Sequence, residues 1–346
     1  MQTIIVQGGT GRSRIAVGEK LANLKAYLPA GRCVVITDER VAALYGDRFP
    51  PGERIVIGCG EGIKTLETVS DIYRRLIDLS ADRGTFIVGI GGGIVGDVAG
   101  FAASTFMRGL RFGFVATTLL AQVDASVGGK NGVNYAGYKN MVGVFNQPEF
   151  VIADIDLLGT LPAAELACGL AEIVKHACIA DAAYFDDIET YGHAAAQMDR
   201  EVLLRLVAES VRIKTDVVNR DEREAGERRI LNFGHTFGHA FEKTLRLSHG
   251  AAVALGMVAA AELSRDEGLL GRDEVRRIAE LLRRLNLPTA AEYDPNAMVD
   301  ALHKDKKRHS AHLHMVLLDR IGHAVVRPMP LARIEQWFAR FRFPAA

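Results

Sequence analysis

Two histidines four residues apart, His235 and His239 in Asn232-Phe-Gly-His-Thr-Phe-Gly-His239, would share one face of a helix, the placement that imidazole metal ligands need. No glutamate lies between them, which argues against the HExxH peptidase arrangement, where that acid serves as base. Two further groups extend the set. His249 precedes a glycine and a new helical run, and Glu172 is an acid inside the otherwise apolar stretch Gly169-Leu-Ala-Glu-Ile-Val-Lys175. One carboxylate with two imidazoles leaves coordination positions open, and these can take a substrate's oxygens. Spacing alone leaves open which histidines bind, and whether the i,i+4 pair is only a surface or core accident.

A second candidate is Thr85-Phe-Ile-Val-Gly-Ile-Gly-Gly-Gly-Ile-Val-Gly-Asp97, in which a strand runs into glycines at 91, 92, 93 and 96 and satisfies GxGxxG. Glycine lets the backbone approach a pyrophosphate without a Cβ, and a helix N-terminus favours the negative charge. The usual dinucleotide fingerprint lies at the first strand, with an acid about twenty positions later. Here the glycines follow several strands and Phe112 to Thr118 holds no acid, so Asp38, ending Ile36-Thr-Asp38, is the candidate for a ribose hydroxyl. A glycine turn kept for tight strand-to-helix packing is the alternative.

The third constellation is a loop rich in lysine and asparagine, Asp124 to Asn140, carrying Lys130 and Lys139 among glycines and amides. Exposed backbone N–H groups with lysine charge suit phosphate and hydroxyl groups, whereas a solvated surface loop is the plainer reading. A polar patch near the C-terminus holds Asp305-Lys306-Lys307 and histidines 303, 309, 312, 314 and 323, most of them expected in solvent.

These groups need elements to hold them. Up to about residue 160, β-branched runs at 3–7, 34–37, 55–58, 85–90 and 112–117 alternate with helical patterns such as Leu66, Val69, Tyr73 and Leu76. That alternation implies parallel strands joined by crossover helices, a nucleotide-binding type of α/β layer. Past Leu161-Pro162, strand-like runs nearly vanish and stretches such as Arg200 to Asn219 carry a period near 3.6. The expected organisation is an α/β domain over 1–161 with a mostly parallel sheet, followed by an all-α domain over 162–346, with the active site in the cleft between them.

Length and composition agree. The 346 residues are 49% hydrophobic, and 42 lysines and arginines balance 42 aspartates and glutamates, so no global field draws the chain to nucleic acid or an anionic membrane. The four cysteines, Cys33, Cys59, Cys168 and Cys178, lack CxxC spacing, which suits buried thiols in a reducing compartment. The start, MQTIIVQGG, has no basic segment before an apolar stretch, and AAVALGMVAAAEL is too short to span a bilayer, so a cytoplasmic protein is expected.

The motifs GGGIVGDVAGFAASTFMRG, TTLLAQVDASVGGK, KNMVGVFNQP, LAEIVKH and LNFGHTFGH, in this order over nearly the whole chain, resemble the 3-dehydroquinate synthase family among the sugar-phosphate cyclases. The resemblance implies a homodimeric lyase of the shikimate pathway that uses NAD with zinc or cobalt. Its reaction converts 3-deoxy-D-arabino-heptulosonate 7-phosphate to 3-dehydroquinate and phosphate, by transient oxidation at C5, phosphate elimination, re-reduction and aldol closure. The metal ligands would be Glu172, His235 and His249, with His239 turned to substrate. Cofactor contacts would be Asp38, Glu61, Lys64, Gly93, Ile94, Val95, Gly96, Asp97, Thr117, Thr118, Lys130, Lys139, Leu157 and Thr160. Lys130, Asn140, Lys175, Lys214 and His239 would act in catalysis, and Arg108, Asp124, Glu224, Arg228, Asn232 and Lys306 would hold substrate.

Two positions depart from the family pattern: Asn131, where threonine is common, and Ala251, where glutamate is common. A metal-dependent polyol or alcohol dehydrogenase has a similar layout and would be told apart by net NADH. Another sugar-phosphate cyclase, making a different ring, is disfavoured by Asn140, Lys214, Arg228 and His239 together. A non-catalytic binding protein would show neither metal nor phosphate release.

Overall fold

The computed structural model describes residues 1–305 and 312–343 of the chain. In chain order the first stretch runs β1 (Gln2–Gly8), β2 (Gly11–Val17), β3 (Cys33–Asp38), α1 (Glu39–Tyr45), β4 (Glu53–Ile57), α2 (Leu66–Asp78), β5 (Phe86–Gly91), α3 (Gly93–Thr105), β6 (Phe112–Ala116), β7 (Lys130–Tyr135), β8 (Tyr138–Phe145) and β9 (Phe150–Ala153). The remainder runs α4 (Ala163–Ala180), α5 (Ala182–Ala196), α6 (Arg200–Arg220), α7 (His235–Leu245), α8 (His249–Asp266), α9 (Arg272–Arg284), α10 (Pro295–Asp305), β10 (His312–Arg320), β11 (His323–Pro330) and α11 (Leu331–Arg340). Two compact units result: Met1–Leu161 with Leu203–Arg223, and Pro162–Val202 with Glu224–Ala346. Most of α6, expected in the helical domain, thus groups with the first unit.

The first unit is built on a seven-stranded sheet in the order β1-β2-β9-β6-β5-β3-β4. All its ladders are parallel except β1 with β2. Its central strands are apolar runs buried along their whole length, as Phe86 to Gly91 and Phe112 to Ala116 show, because helices cover a parallel sheet on both faces. Asp38 starts α1 by accepting from the Val41 amide at 2.8 Å, and Thr65 starts α2 by accepting from Thr68 N at 3.3 Å. The stretch expected as a loop from Asp124 to Asn140 is different: from Lys130 onward it forms an antiparallel hairpin, β7 with β8, turning at Ala136 and Gly137, both at positive φ.

The second unit is mainly helical, with an antiparallel β10–β11 hairpin that the all-α expectation omitted. Helices α4 and α8 are buried nearly all round, which marks them as its centre. Helices α7 and α8 cross at glycines, since a Cβ on Gly256 would stand 2.6 Å from the Gly238 amide and overlap the Gly234 carbonyl. Gly256→Ala is therefore expected to cost about 1–3 kcal/mol by overpacking. Denaturant unfolding would measure it, and an unchanged midpoint would contradict so tight a crossing. Among the described residues, no helix is long and apolar enough to cross a membrane. Cys168 and Cys178 are buried, whereas Cys59, expected buried, is exposed.

Candidate active site

Within the second unit, α4 carries Glu172, α7 opens on His235 and α8 opens on His249. The Glu172 carboxylate is 0% exposed, and its Oε1 lies 3.3 Å from His249 Nε2 and 3.6 Å from His235 Nε2. The three ligand atoms all lie within 4.8 Å of one another. Bonds of the usual zinc length place ligand atoms about 3.4 Å apart, so the two separations from Glu172 Oε1 are of the size that a shared divalent ion requires. Nδ1 of His235 faces the Phe233 carbonyl at 3.2 Å, which fixes the ring so that Nε2 keeps its lone pair toward Glu172. Burial pushes the His235 imidazole down to about 3, so it is neutral and able to ligate.

The other carboxylate oxygen of Glu172 forms an ion pair with Lys175, itself 2% exposed. Glu172 thus faces the histidines with one oxygen and a buried ammonium with the other. His239 lies one helical turn beyond His235, with ring centroids 5.6 Å apart and edge to face. It is outside the three-ligand set, so the i,i+4 spacing that drew attention to the pair does not describe the cluster. Nearby in sequence, Asn232 Nδ2 donates to Glu224 Oε1 at 2.5 Å, Glu224 sits at φ +59°, and Arg228 is 2% exposed. Lys306 lies outside the described residues.

Within the first unit, the glycine segment links β5 to α3. Strand order reverses between β3 and β5, since β3 lies between β4 and β5, and the carboxyl ends of these two strands bring Asp38 and Gly91 to the same edge. In open α/β sheets that reversal is where ligands bind. The protein itself also needs the glycines: a Cβ would stand 2.5 Å from Val95 Cβ at Gly91, 3.0 Å from Thr118 Cγ2 at Gly92 and 2.9 Å from Ala125 Cβ at Gly93. Tight packing and open backbone therefore coincide here. Ile94 and Gly96 are half-buried and Val95 is buried, so these residues offer backbone more than side chain.

Around this edge, Lys64 is 6% exposed, forms an ion pair with Asp97 and donates to Asn140 Oδ1 at 2.5 Å. Burial pushes the Asp97 carboxyl above its ordinary value while the Lys64 ammonium pulls it back. Glu61 accepts from Asn134 Nδ2 at 2.8 Å, and Asn134 in turn accepts from the Asn140 amide at 2.9 Å. Lys214 donates to the Asp124 carbonyl at 2.6 Å and its Oδ1 at 2.7 Å. The buried Thr117 follows β6 with its amide on Gly91 O at 2.9 Å, and Thr118 caps the next turn by accepting from Ala121 N at 3.1 Å. Tyr45 Oη bonds the Leu157 carbonyl at 3.0 Å and the Thr160 hydroxyl at 2.6 Å.

Other expected residues lie on the hairpin, on a turn and at a helix cap. Lys130 and Lys139 are exposed on the hairpin, and Arg108 is exposed on a turn where Met107, Arg108 and Gly109 all have positive φ. Asp38 spends one carboxylate oxygen on the α1 cap.

Residues 54–168 match the family model for the 3-dehydroquinate synthase N-terminal region, and residues 169–308 match that for its C-terminal region. The chain belongs to the 3-dehydroquinate synthase family. The 3-dehydroquinate synthase of Halorhodospira halophila is 44% identical over 337 residues, covering 94% of this chain and 95% of that one. Among solved structures, a 2-deoxy-scyllo-inosose synthase with carbaglucose-6-phosphate, NAD+ and Co2+ aligns at TM-score 0.85 and 28% identity, covering 98% of this chain and 99% of that one. The 2-epi-5-epi-valiolone synthase of Streptomyces hygroscopicus, with NAD+ and Zn2+, aligns at TM-score 0.87 and 28% identity, covering 98% of both chains.

One departure from the 3-dehydroquinate synthase pattern has a structural account. Asn131 is 4% exposed, and its Nδ2 donates to the carbonyls of Gly129 at 3.1 Å and Asn146 at 2.9 Å, so it staples the backbone beside Lys130. Ala251 lies in the first turn of α8, and nothing in the structure explains it. Sequence reasoning passed over Thr10, Gln147 and Glu222, which meet across sequence separations of 75 and 212 residues. No local pattern announces such a contact.

Proposed function

We propose that the chain is a 3-dehydroquinate synthase, a carbon–oxygen lyase that converts 3-deoxy-D-arabino-heptulosonate 7-phosphate to 3-dehydroquinate and phosphate. The observation that supports it best is the buried Glu172, with two imidazoles on one oxygen and the Lys175 ammonium on the other, in a chain 44% identical to a synthase of that name. When bound, NAD supplies a hydride acceptor that is regenerated within each turnover, and zinc or cobalt supplies Lewis acidity to substrate oxygens. Glu172, His235 and His249 would hold the ion.

The remaining tasks fall to side chains. Residues of 1–161 would hold NAD: Gly93 to Gly96 by backbone, Asp38, Glu61, Lys64, Asp97 and Lys139 by charge and hydrogen bonds, and Thr117, Thr118, Leu157 and Thr160 at the strand ends. Residues of 162–346 would hold metal and most of the substrate. Lys130, Asn140, Lys175 and Lys214 would hold the phosphate as its charge grows on departure, which electrostatic preorganisation favours. Lys214 is already oriented by Asp124, so little freedom is left to lose when substrate arrives. Arg108, Glu224, Arg228, Asn232 and Lys306 would fix the sugar acid, and His239 would move protons at the opened ring. Family membership also supports a cytoplasmic homodimer.

One assay tests the reading. The heptulosonate 7-phosphate with catalytic NAD and zinc is expected to release one phosphate per ring formed while absorbance at the NADH band stays flat. Accumulation of NADH in step with turnover would mean a polyol or alcohol dehydrogenase instead, and phosphate release only from other sugar phosphates would mean a different cyclase.

A further inference from the structure

Just past α6, the Glu222 carboxylate ties together two distant segments of the first unit. Its Oε1 accepts from the Thr10 hydroxyl at 2.5 Å and from Gln147 Nε2 at 2.8 Å, and its Oε2 accepts from the Thr10 amide at 3.2 Å. Gly8 leaves it room, since a Cβ there would stand 2.5 Å from the carboxyl carbon. Burial works against the charged form, yet hydrogen bonds from Thr10 and Gln147 hold this carboxyl below its ordinary value. All three contacts donate to the carboxylate as it stands, so an ionised acceptor satisfies them together, whereas an amide has one acceptor oxygen and would force Gln147 or the Thr10 hydroxyl to turn round.

Gln147 is 6% exposed and leans on the residue before Lys130: a Cβ on Gly129 would lie 2.8 Å from its Nε2. Gly129 sits at φ +69°, which a side chain rarely adopts. Its carbonyl accepts from the Asn146 amide at 2.8 Å and from Asn131 Nδ2 at 3.1 Å. Gly129 is thus held at its carbonyl, Gln147 fills the space that a Cβ there would need, and β7 begins with Lys130 straight from that point.

We propose that Glu222 is a positioning residue for the reaction: through Gln147 and Gly129 it sets the direction in which Lys130 leaves the backbone toward the departing phosphate. The inference rests on the role proposed above for Lys130. Displacing a charged group by an ångström from a productive arrangement can cost about a hundredfold in rate, so a relaxed clamp is expected to cost about tenfold.

The test uses the full chain with NAD and zinc, Glu222→Gln, and Thr10→Val as a milder change at the half-buried turn between β1 and β2. In both, amide exchange at residues 128–131 should speed up by about tenfold as the segment opens locally. Phosphate release should lose about tenfold in kcat with little change in KM, while zinc content holds. The reciprocal exchange Q147E with E222Q restores a donor facing an acceptor and should recover most of the rate. In a Lys130→Ala background, Glu222→Gln should cost nothing further, because what it positions is gone. Unchanged exchange at 128–131, or a loss that multiplies in full onto Lys130→Ala, would overturn the inference. Should Lys130→Ala itself leave phosphate release intact, the reading of Lys130 falls, and the exchange measurement still decides the clamp.

Discussion

His235→Ala should strip the protein of bound metal and lower turnover by about a thousandfold, while His239→Ala should keep its metal. The expectation comes from distances: Nε2 of His235 stands 3.6 Å from the Glu172 oxygen that His249 also approaches, whereas the ring of His239 lies beyond His235 and outside the ligand set. Removing His235 leaves one carboxylate and one imidazole, too few protein ligands for a catalytic zinc site. A Lewis-acid metal is worth several kcal/mol of transition-state stabilisation, and about 4 kcal/mol corresponds to ~1000-fold in rate. Metal analysis of dialysed protein, beside the phosphate assay, measures both halves. Stoichiometric zinc with normal turnover in His235→Ala would remove the ligand assignment, and loss of zinc in His239→Ala would restore the helical pair as the site.

Much of this was legible from residues alone, and the parts that were not share a cause. Strands β3, β5 and β6 announce themselves as apolar runs, because a parallel strand covered on both faces must be apolar throughout, and the edge strand β4 shows the same signal only in Ile55-Val-Ile57. Strand β2, Gly11-Arg-Ser-Arg-Ile-Ala-Val17, and the asparagine- and glycine-rich β7 and β8 carry no such signal, since they depend on a neighbouring strand or hairpin partner. Period 3.6 in α6 marks a helix yet says nothing about which body it packs on, and most of α6 joins the first unit. The site divides the same way. An acid inside an apolar helix singles out Glu172, because a buried charge needs a partner. Spacing favours His235 with His239, although the structure brings His249 to Glu172 from the start of a different helix. Tertiary placement decides, and only the family resemblance anticipated it.

The ion pair beside the candidate metal site leads to a prediction about stability that does not depend on activity. Glu172 is 0% and Lys175 2% exposed, and both project from α4, one turn apart. Replacing Lys175 by methionine keeps most of the side-chain volume and removes the charge, leaving the Glu172 carboxylate buried among the imidazoles of His235, His249 and His176 without the ammonium. Breaking a buried pair from one side costs about 3–5 kcal/mol, because the surviving charge has lost water without gaining a counterion. Metal-free Lys175→Met should accordingly unfold at clearly lower denaturant than the metal-free parent. A divalent ion held by Glu172, His235 and His249 would return positive charge to the same carboxylate. Ligand at a hundredfold above its dissociation constant stabilises by about 2.7 kcal/mol in any protein, so what matters is the difference between the two proteins. Zinc should raise the unfolding midpoint of Lys175→Met more than that of the parent, since in the parent the ammonium already neutralises much of the carboxylate. Equal zinc-induced shifts, or equal metal-free stabilities, would mean that Lys175 and the ion do not share Glu172, and the lysine would then have to be explained by substrate alone.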